Sequence, residues 1–380
     1  MRAIKVRIYP NKQQEQMINK TFGCVRFVYN RALALKKSRY DNYRDNLSTI
    51  EIDKMVTFWK KTEEMSFLKE ASSQSLQQTL RHLDSAYKKF FKEKKGFPTF
   101  KKKSDKQSYS VVRNVKVIDS RIQFPKLGLL KVKGLRGFEG EIKTATLSKN
   151  KCGQYFISFC MDDVKKTPKI KEIKSVIGID VGIKTLAVTS DGMTFVAPNT
   201  LKTLENKLKY YQRQQAKCIK GSNSFRKWKH KIAVLWNKIT NIRKDYLHKL
   251  SIRLVKNHDL IVVENLKVKN MVKNHKLAKA ISNMSWGEFF RQLEYKSEWH
   301  GKHFIKVDPK STSQKCSCCG FVNKSLTLSD RQWECSECLS VLDRDLNAAI
   351  NIKQKGMDSV LKSCGDILIR EVDEARIPCL

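Results

Sequence analysis

Cys316 and Cys319, then Cys335 and Cys338, form two Cys-x-x-Cys pairs with fifteen residues between them, and no other feature restricts the fold so tightly. Four thiolates at that spacing close on one tetrahedral Zn²⁺. Residues 312–342 are therefore expected to form a small zinc ribbon, held by metal more than by an apolar interior. Cys318 lies inside the first pair and is a neighbour, not a ligand. The other cysteines (24, 152, 160, 218, 364 and 379) are scattered and give no disulfide framework.

Charge restricts the partner. The 380 residues carry 76 Lys and Arg against 37 Asp and Glu, a formal charge of +39, which repels itself unless a polyanion neutralises it. The charge runs through the whole chain instead of gathering on one amphipathic helix, which favours nucleic acid over a membrane surface. No stretch reaches the roughly 18 apolar residues of a membrane span. The start, Met1-Arg2-Ala3-Ile4-Lys5, lacks a signal-peptide core, so an intracellular protein is expected.

Along the chain, Ile4, Val6 and Ile8 alternate with Lys5 and Arg7 as a half-buried strand ending at Pro10. Asn11 is placed to cap a helix running to about Lys37, with Met17, Phe22, Val25, Phe27, Val28, Ala32 and Leu33 on its apolar face. A second helix, opened by Ser72 or Ser73, carries Leu76, Leu80, Leu83, Tyr87, Phe90 and Phe91. Beyond Gly96 and Pro98, Phe97 and Phe100 stand among Lys101, Lys102 and Lys103, a mixture suited to phosphate contact and base stacking. Short strands follow near 110–112, 115–118, 130–132 and 154–159; with the first strand they are expected to close a small β-barrel, the helices being an insertion. A charged linker is expected over 164–174.

A new domain opens with the apolar run Val176-Ile177-Gly178-Ile179-Asp180, a hairpin through Ser190-Asp191-Gly192, and a third strand. Two long helices, broken near 220–224, lead to the buried strand Leu260-Ile261-Val262-Val263-Glu264. A helix holding Trp286, Phe289, Phe290, Leu293 and Trp299 then precedes the strand 303–307. The order is that of a mixed α/β sheet with helical insertions. Asp180 and Glu264 each end a buried strand, where α/β sheets place their ligands. A third acid is available from the run Asp343-Arg344-Asp345, at the start of a helix rich in small residues. Three converging carboxylates repel one another unless a hard divalent cation, Mg²⁺ or Mn²⁺, joins them. Two such ions about 4 Å apart suit in-line hydrolysis of a phosphodiester. The reading is a metal-dependent nuclease.

Taken together, Gly178-Ile179-Asp180-Val181-Gly182-Ile183-Lys184, Val263-Glu264-Asn265-Leu266, Thr312-Ser313-Gln314-Lys315-Cys316 with its ribbon, and Asp343-Arg344-Asp345-Leu346-Asn347-Ala348-Ala349 resemble the TnpB family, RNA-guided nucleases of small bacterial insertion sequences related to type V CRISPR effectors. The likeness extends to Tyr9-Pro10-Asn11, Phe27-Val28-Tyr29-Asn30 and Gly96-Phe97-Pro98-Thr99-Phe100-Lys101, and so to nearly the whole chain.

The resemblance implies a RuvC-like nuclease domain of RNase H fold over 172–311 and 343–356 with the zinc ribbon inserted, and catalytic residues Asp180, Glu264 and Asp345, with Asp343 the fallback. It implies an OB-like wedge barrel over 1–10 and 108–165, a helical recognition lobe over 11–107, and a tail over 357–380. The implied partners are a transposon-derived guide RNA and double-stranded target DNA beside a short adjacent motif, bound by a monomeric ribonucleoprotein in the bacterial cytoplasm, nucleoid-associated when on DNA. A catalytically silent RNA-guided repressor is disfavoured because all three acids are present. A structure-specific nuclease without RNA is disfavoured because about 170 residues of the amino-terminal half go to a basic barrel and helices, beyond what such chemistry needs. A strand-joining transposase is disfavoured because no Tyr nucleophile with paired His is evident.

Overall fold

The computed structural model describes residues 2–135, 141–161, 172–198, 200–327, 329–363 and 368–369. Most of the expected linker and nearly all of the tail beyond residue 363 lie outside them. The chain divides into two compact units, Met1–Lys166 and Thr167–Leu380.

In the first unit, β1 (Arg2–Tyr9) leads directly into α1 (Lys12–Tyr43). Asn11 caps α1 as expected: its side chain accepts from Gln14 N at 2.8 Å and Gln14 accepts from Asn11 N at 3.0 Å. Gln14 also donates to the carbonyls of Leu127 and Leu129, fixing the helix start on the sheet. The helix runs past Lys37 to Arg44, whose φ of 54° ends it. α2 (Thr49–Trp59) was not anticipated: only Ile52, Val56 and Trp59 anchor it, too few to stand out as a period. α3 (Ser73–Glu93) buries Leu76, Leu80 and Leu83, whereas Phe91 at its far end is exposed.

The unit's seven strands are β1, β2 (Gln107–Val111), β3 (Lys116–Ile118), β4 (Arg121–Phe124), β5 (Gly128–Lys133), β6 (Ile142–Lys149) and β7 (Tyr155–Met161), ordered β2-β6-β7-β1-β5-β4-β3 with antiparallel neighbours. Among the described residues no ladder joins β2 to β3, so hydrogen bonding alone does not close the ring expected from the sequence. β4 and β6 escape the sequence pattern. β6 is made largely of Thr, Ser and Lys yet buries Ala145 and Leu147 between β2 and β7.

In the second unit, β8 (Glu172–Ile173), β9 (Val176–Asp180), β10 (Ala187–Thr189) and β11 (Thr194–Phe195) precede a helical hairpin, α4 (Thr200–Ala216) and α5 (Asn223–Asn257). Then come β12 (Leu260–Glu264), α6 (Val268–Met271), α7 (His275–Met284), α8 (Trp286–Trp299) and β13 (His303–Val307). The ribbon hairpin β14 (Gln332–Glu334) and β15 (Val341–Asp343), α9 (Arg344–Ser363) and β16 (Leu368–Ile369) complete the unit. The central sheet has the order β11-β10-β9-β12-β13, the first three strands antiparallel and the last three parallel.

Strand alternation assigns the two faces. Ile177, Ile179, Ile261 and Val263 pack against α5 and α8, while Val176, Leu260 and Val262 meet Ile352 and Val360 of α9. α9 lies directly on the sheet because two positions carry no side chain. A Cβ on Gly178 would strike the carbonyl of Ala349 and the backbone nitrogen of Lys353, and one on Gly356 would strike Val262. Gly178→Ala therefore forces backbone against backbone. It is expected to destabilise this unit by about 3 kcal/mol, the upper end of overpacking costs, read as a lowered denaturation midpoint. Ala at Gly287, which has nothing within 4 Å, supplies the contrast.

Candidate active site

The same alternation places Asp180 and Glu264. Both follow the last pair of the β9–β12 ladder, Ile179 with Val263, by one step, so both point to the α9 face. Asp345 sits in the first turn of α9. Burial is the first cause and the charges of Glu264 and then Asp345 the next in raising the Asp180 carboxyl from 3.8 to about 8; the backbone N–H of Val181 and the charge of Arg344 oppose this. Glu264, buried at 9% exposure, is also raised, by desolvation and by Asp308, against a hydrogen bond from Thr312 and the charge of Lys355.

Asp343 and Asp345 separate by role. Asp343 Oδ1 accepts from Leu346 N at 2.9 Å, the geometry of a helix cap. Asp345 is gripped by Arg331, whose Nη1 stands 3.1 and 3.2 Å from the two carboxylate oxygens, and it is Asp345 whose charge reaches Asp180.

Four supporting residues escaped sequence reasoning. Thr312 Oγ1 donates to Glu264 Oε1 at 2.5 Å. Asn351 Nδ2 donates to the carbonyls of Thr312 and Lys315, and Asn347, one turn earlier, donates to Lys315 O and accepts from Ser317 N at 2.8 Å. α9 thus staples the ribbon's leading segment and, through it, orients Glu264. Lys355 donates to Asp308 O and Lys310 O, holding its ammonium near Glu264. The available signal was the i, i+4 pairing of Asn347 and Asn351 on a helix otherwise turned to the core, where a buried amide demands partners.

The four expected cysteines converge. Their sulfurs all lie within 4.8 Å of one another, with Cys316 to Cys338 at 3.7 Å and Cys319 to Cys335 at 3.5 Å. The set fits a structural Zn²⁺, with Cys316, Cys335 and Trp333 forming the ribbon's small core. Cys318 is exposed and outside the four. The carboxylates offer only hard oxygen donors, which suit Mg²⁺ or Mn²⁺ and not a soft metal.

Of the residues expected at a nucleic-acid surface, Lys101 has its ammonium 3.8 Å over the Tyr29 ring, and its backbone exchanges two hydrogen bonds with Asn30. Phe97 packs edge-on against Tyr87 and Phe90 but is 47% exposed, and Phe100 is 52% exposed. Lys102 and Lys103 are exposed; Lys102 N donates to Asp105. Among the described residues no helix is long and apolar enough to cross a membrane.

Comparison with known proteins places this geometry in context. Residues 158–275, which hold Asp180 and Glu264, match a family model described as "Probable transposase" (OrfB_IS605). Residues 286–352, with the four cysteines and Asp345, match "Cas12f1-like, TNB domain". Residues 1–45 match a "Helix-turn-helix domain", although here that span is one strand and one continuous 32-residue helix. The chain is 36% identical to "Putative RNA-guided DNA endonuclease InsQ" of Escherichia coli (strain K12), across 97% of this chain and 95% of the relative. It is also 36% identical to "Putative RNA-guided DNA endonuclease" of Streptomyces pristinaespiralis, across 96% and 91%. A solved Cas12f1–sgRNA–target DNA complex aligns over 93% of this chain and 98% of its own at 16% identity, with a TM-score of 0.37.

Two outcomes follow from the site. A carboxyl group with a raised folded-state pKa binds its proton more tightly when folded. The cation-free protein therefore loses stability as pH rises from about 4 through 8, the window set by Asp180. Denaturation midpoints across that window should show the fall, and Mg²⁺ or Asp180→Asn should flatten it. Second, a chelator that strips Zn²⁺ should unfold residues 312–342, since such a site draws about 10 kcal/mol or more from its metal. Limited proteolysis should then cut within the ribbon, and unchanged resistance there would count against the metal.

Proposed function

The chain belongs to the TnpB family, and from that premise we propose that it is an RNA-guided, metal-dependent DNA endonuclease. The observation that carries the reading is the desolvation of Asp180 and Glu264 at the ends of neighbouring strands, with the charges of Glu264 and Asp345 bearing on Asp180. In this reading the three hold Mg²⁺ or Mn²⁺, which when bound supplies an activated water and charge stabilisation for phosphodiester hydrolysis. The chain's own residues do the positioning. Thr312 fixes one oxygen of Glu264 and so its orientation. Arg331 holds Asp345 by both oxygens, and Lys355 moderates the negative charge around Glu264. The guanidinium of Arg331 also stands where a scissile phosphate brought to Asp345 would meet a cation.

The partners in this reading are a transposon-derived guide RNA, which reads sequence by pairing, and duplex DNA carrying a short adjacent motif. The +39 charge supports it, since an RNA and a heteroduplex need a positive surface. The first unit's seven-stranded sheet and helices take the wedge and recognition roles, the second unit the RuvC-like one with its ribbon. The ribonucleoprotein is a monomer acting in the cytoplasm.

Asp180→Ala is expected to lower guide-matched, Mg²⁺-dependent cleavage by well over the ten- to hundredfold that loss of an outer-sphere partner costs, while RNA and DNA binding persist. Thr312→Val, which keeps the shape and removes the hydrogen bond, is expected to fall within that ten- to hundredfold and to raise the Mg²⁺ concentration needed for half-maximal cutting. Purified protein from cells expressing it with its flanking DNA, challenged with duplex matching any bound RNA, is the assay. Cutting by Asp180→Ala at the wild-type rate would exclude this site.

A further inference from the structure

Between residues 206 and 244, across the α4–α5 hairpin, stand twelve Lys and Arg and no acidic residue; at the chain's average that stretch would hold about four acids. All twelve but Arg243 are exposed. Neither packing nor internal ion pairing explains them. The hairpin is held by a small apolar seam of Leu208, Leu235 and Ile239, and among the described residues the acids that meet it stand at its fringes: Glu205 with Lys279, Asn283 and Arg243, Asp245 with Lys249, and Glu288 with Lys244. A merely solvated helical face would interleave both signs, because like charges at i, i+4 destabilise a helix.

Aromatic rings stand on the same surface. Tyr210 and Tyr211 of α4 meet Trp228 of α5 at centroid distances of 6.2 and 5.4 Å. Lys231 lies 4.3 Å over Trp228 and Lys207 5.7 Å over Tyr211. Tyr210 is 54% exposed, and Arg213 and Lys217 follow it at i+3 and i+7, on one stripe of α4. An exposed tyrosine ring among exposed cations suits an unstacked base on a phosphate backbone, whereas the stacked interior of a duplex offers no base face.

We propose that the α4–α5 hairpin is a binding surface for a single-stranded segment of RNA, with the cations on the phosphates and Tyr210 available for base stacking. The assignment rests on the RNA-guided reading for its biological occupant. RNA is preferred to a displaced DNA strand because a guide is the permanent ligand and so the one able to neutralise a permanent, acid-free ridge.

The test compares the full-length wild type with a variant combining Lys207→Ala, Arg213→Ala, Lys217→Ala, Lys227→Ala and Lys231→Ala, substitutions that favour helix and leave the apolar seam alone. The probes are a labelled uridine oligonucleotide of RNA, a thymidine oligonucleotide of equal length, and a duplex DNA. The expected result is weaker RNA binding, with the slope of log affinity against log salt reduced by about 3 to 4, roughly 0.7 for each lost phosphate contact. Duplex binding and the circular dichroism spectrum should be unchanged, and ultraviolet crosslinking of the RNA should label the Tyr210 peptide in the wild type. Unchanged RNA affinity and slope would overturn the proposal, and so would an equal loss on duplex DNA or a loss confined to the thymidine strand. A wild type that binds RNA through the hairpin but never cuts DNA would sink the nuclease reading alone. A variant that keeps full RNA affinity while the wild type performs guided cleavage would sink the hairpin alone.

Discussion

The contact between β9 and α9 is the constraint from which the candidate site follows. Gly178 and Gly356 let a helix backbone lie against the strands where any Cβ would intrude. That approach brings the first turn of α9 to the strand ends, and with it the charge of Asp345 to Asp180, on which Glu264 also bears. It also helps shield Asp180 from water, and burial leads the causes that raise its carboxyl. A looser packing would hydrate the carboxylates and remove both their mutual repulsion and their demand for a cation.

The ribbon gains a second meaning from the same helix. Its four cysteines make a self-contained metal core, yet its leading segment is tied to α9 by Asn347 and Asn351 and reaches Glu264 through Thr312. Arg331, just before β14, closes the loop by holding Asp345. Two of the three acids are therefore oriented by residues whose positions depend on the folded ribbon. The cysteine cluster and the carboxylate site form one mechanical unit, joined by buried amide and hydroxyl groups that cannot be left unsatisfied without cost.

The first unit illustrates where patterns fail. α1 and α3 were legible because apolar residues recur every three or four positions, and a capping box at Asn11 opens the first of them. α2 and β6 were not: one has three anchors, and the other is a polar strand whose burial comes from neighbours on both sides. Lys101 shows the same limit for function, since its place over Tyr29 and between the hydrogen bonds of Asn30 depends on chain seventy residues away.

The sequence by itself determined the four converging cysteines, the buried strands and the acids that end two of them. Local spacing and hydrophobic period carry that information, and a motif of this length has few other solutions. It left the choice between Asp343 and Asp345 to a resemblance, and it was silent on what Thr312, Asn347, Asn351, Lys355 and Arg331 do. Those were decided by tertiary structure because each acts through a partner on another element: a hydrogen bond or an ion pair between distant segments has no period, and only the packing of α9 across the sheet makes the distance short.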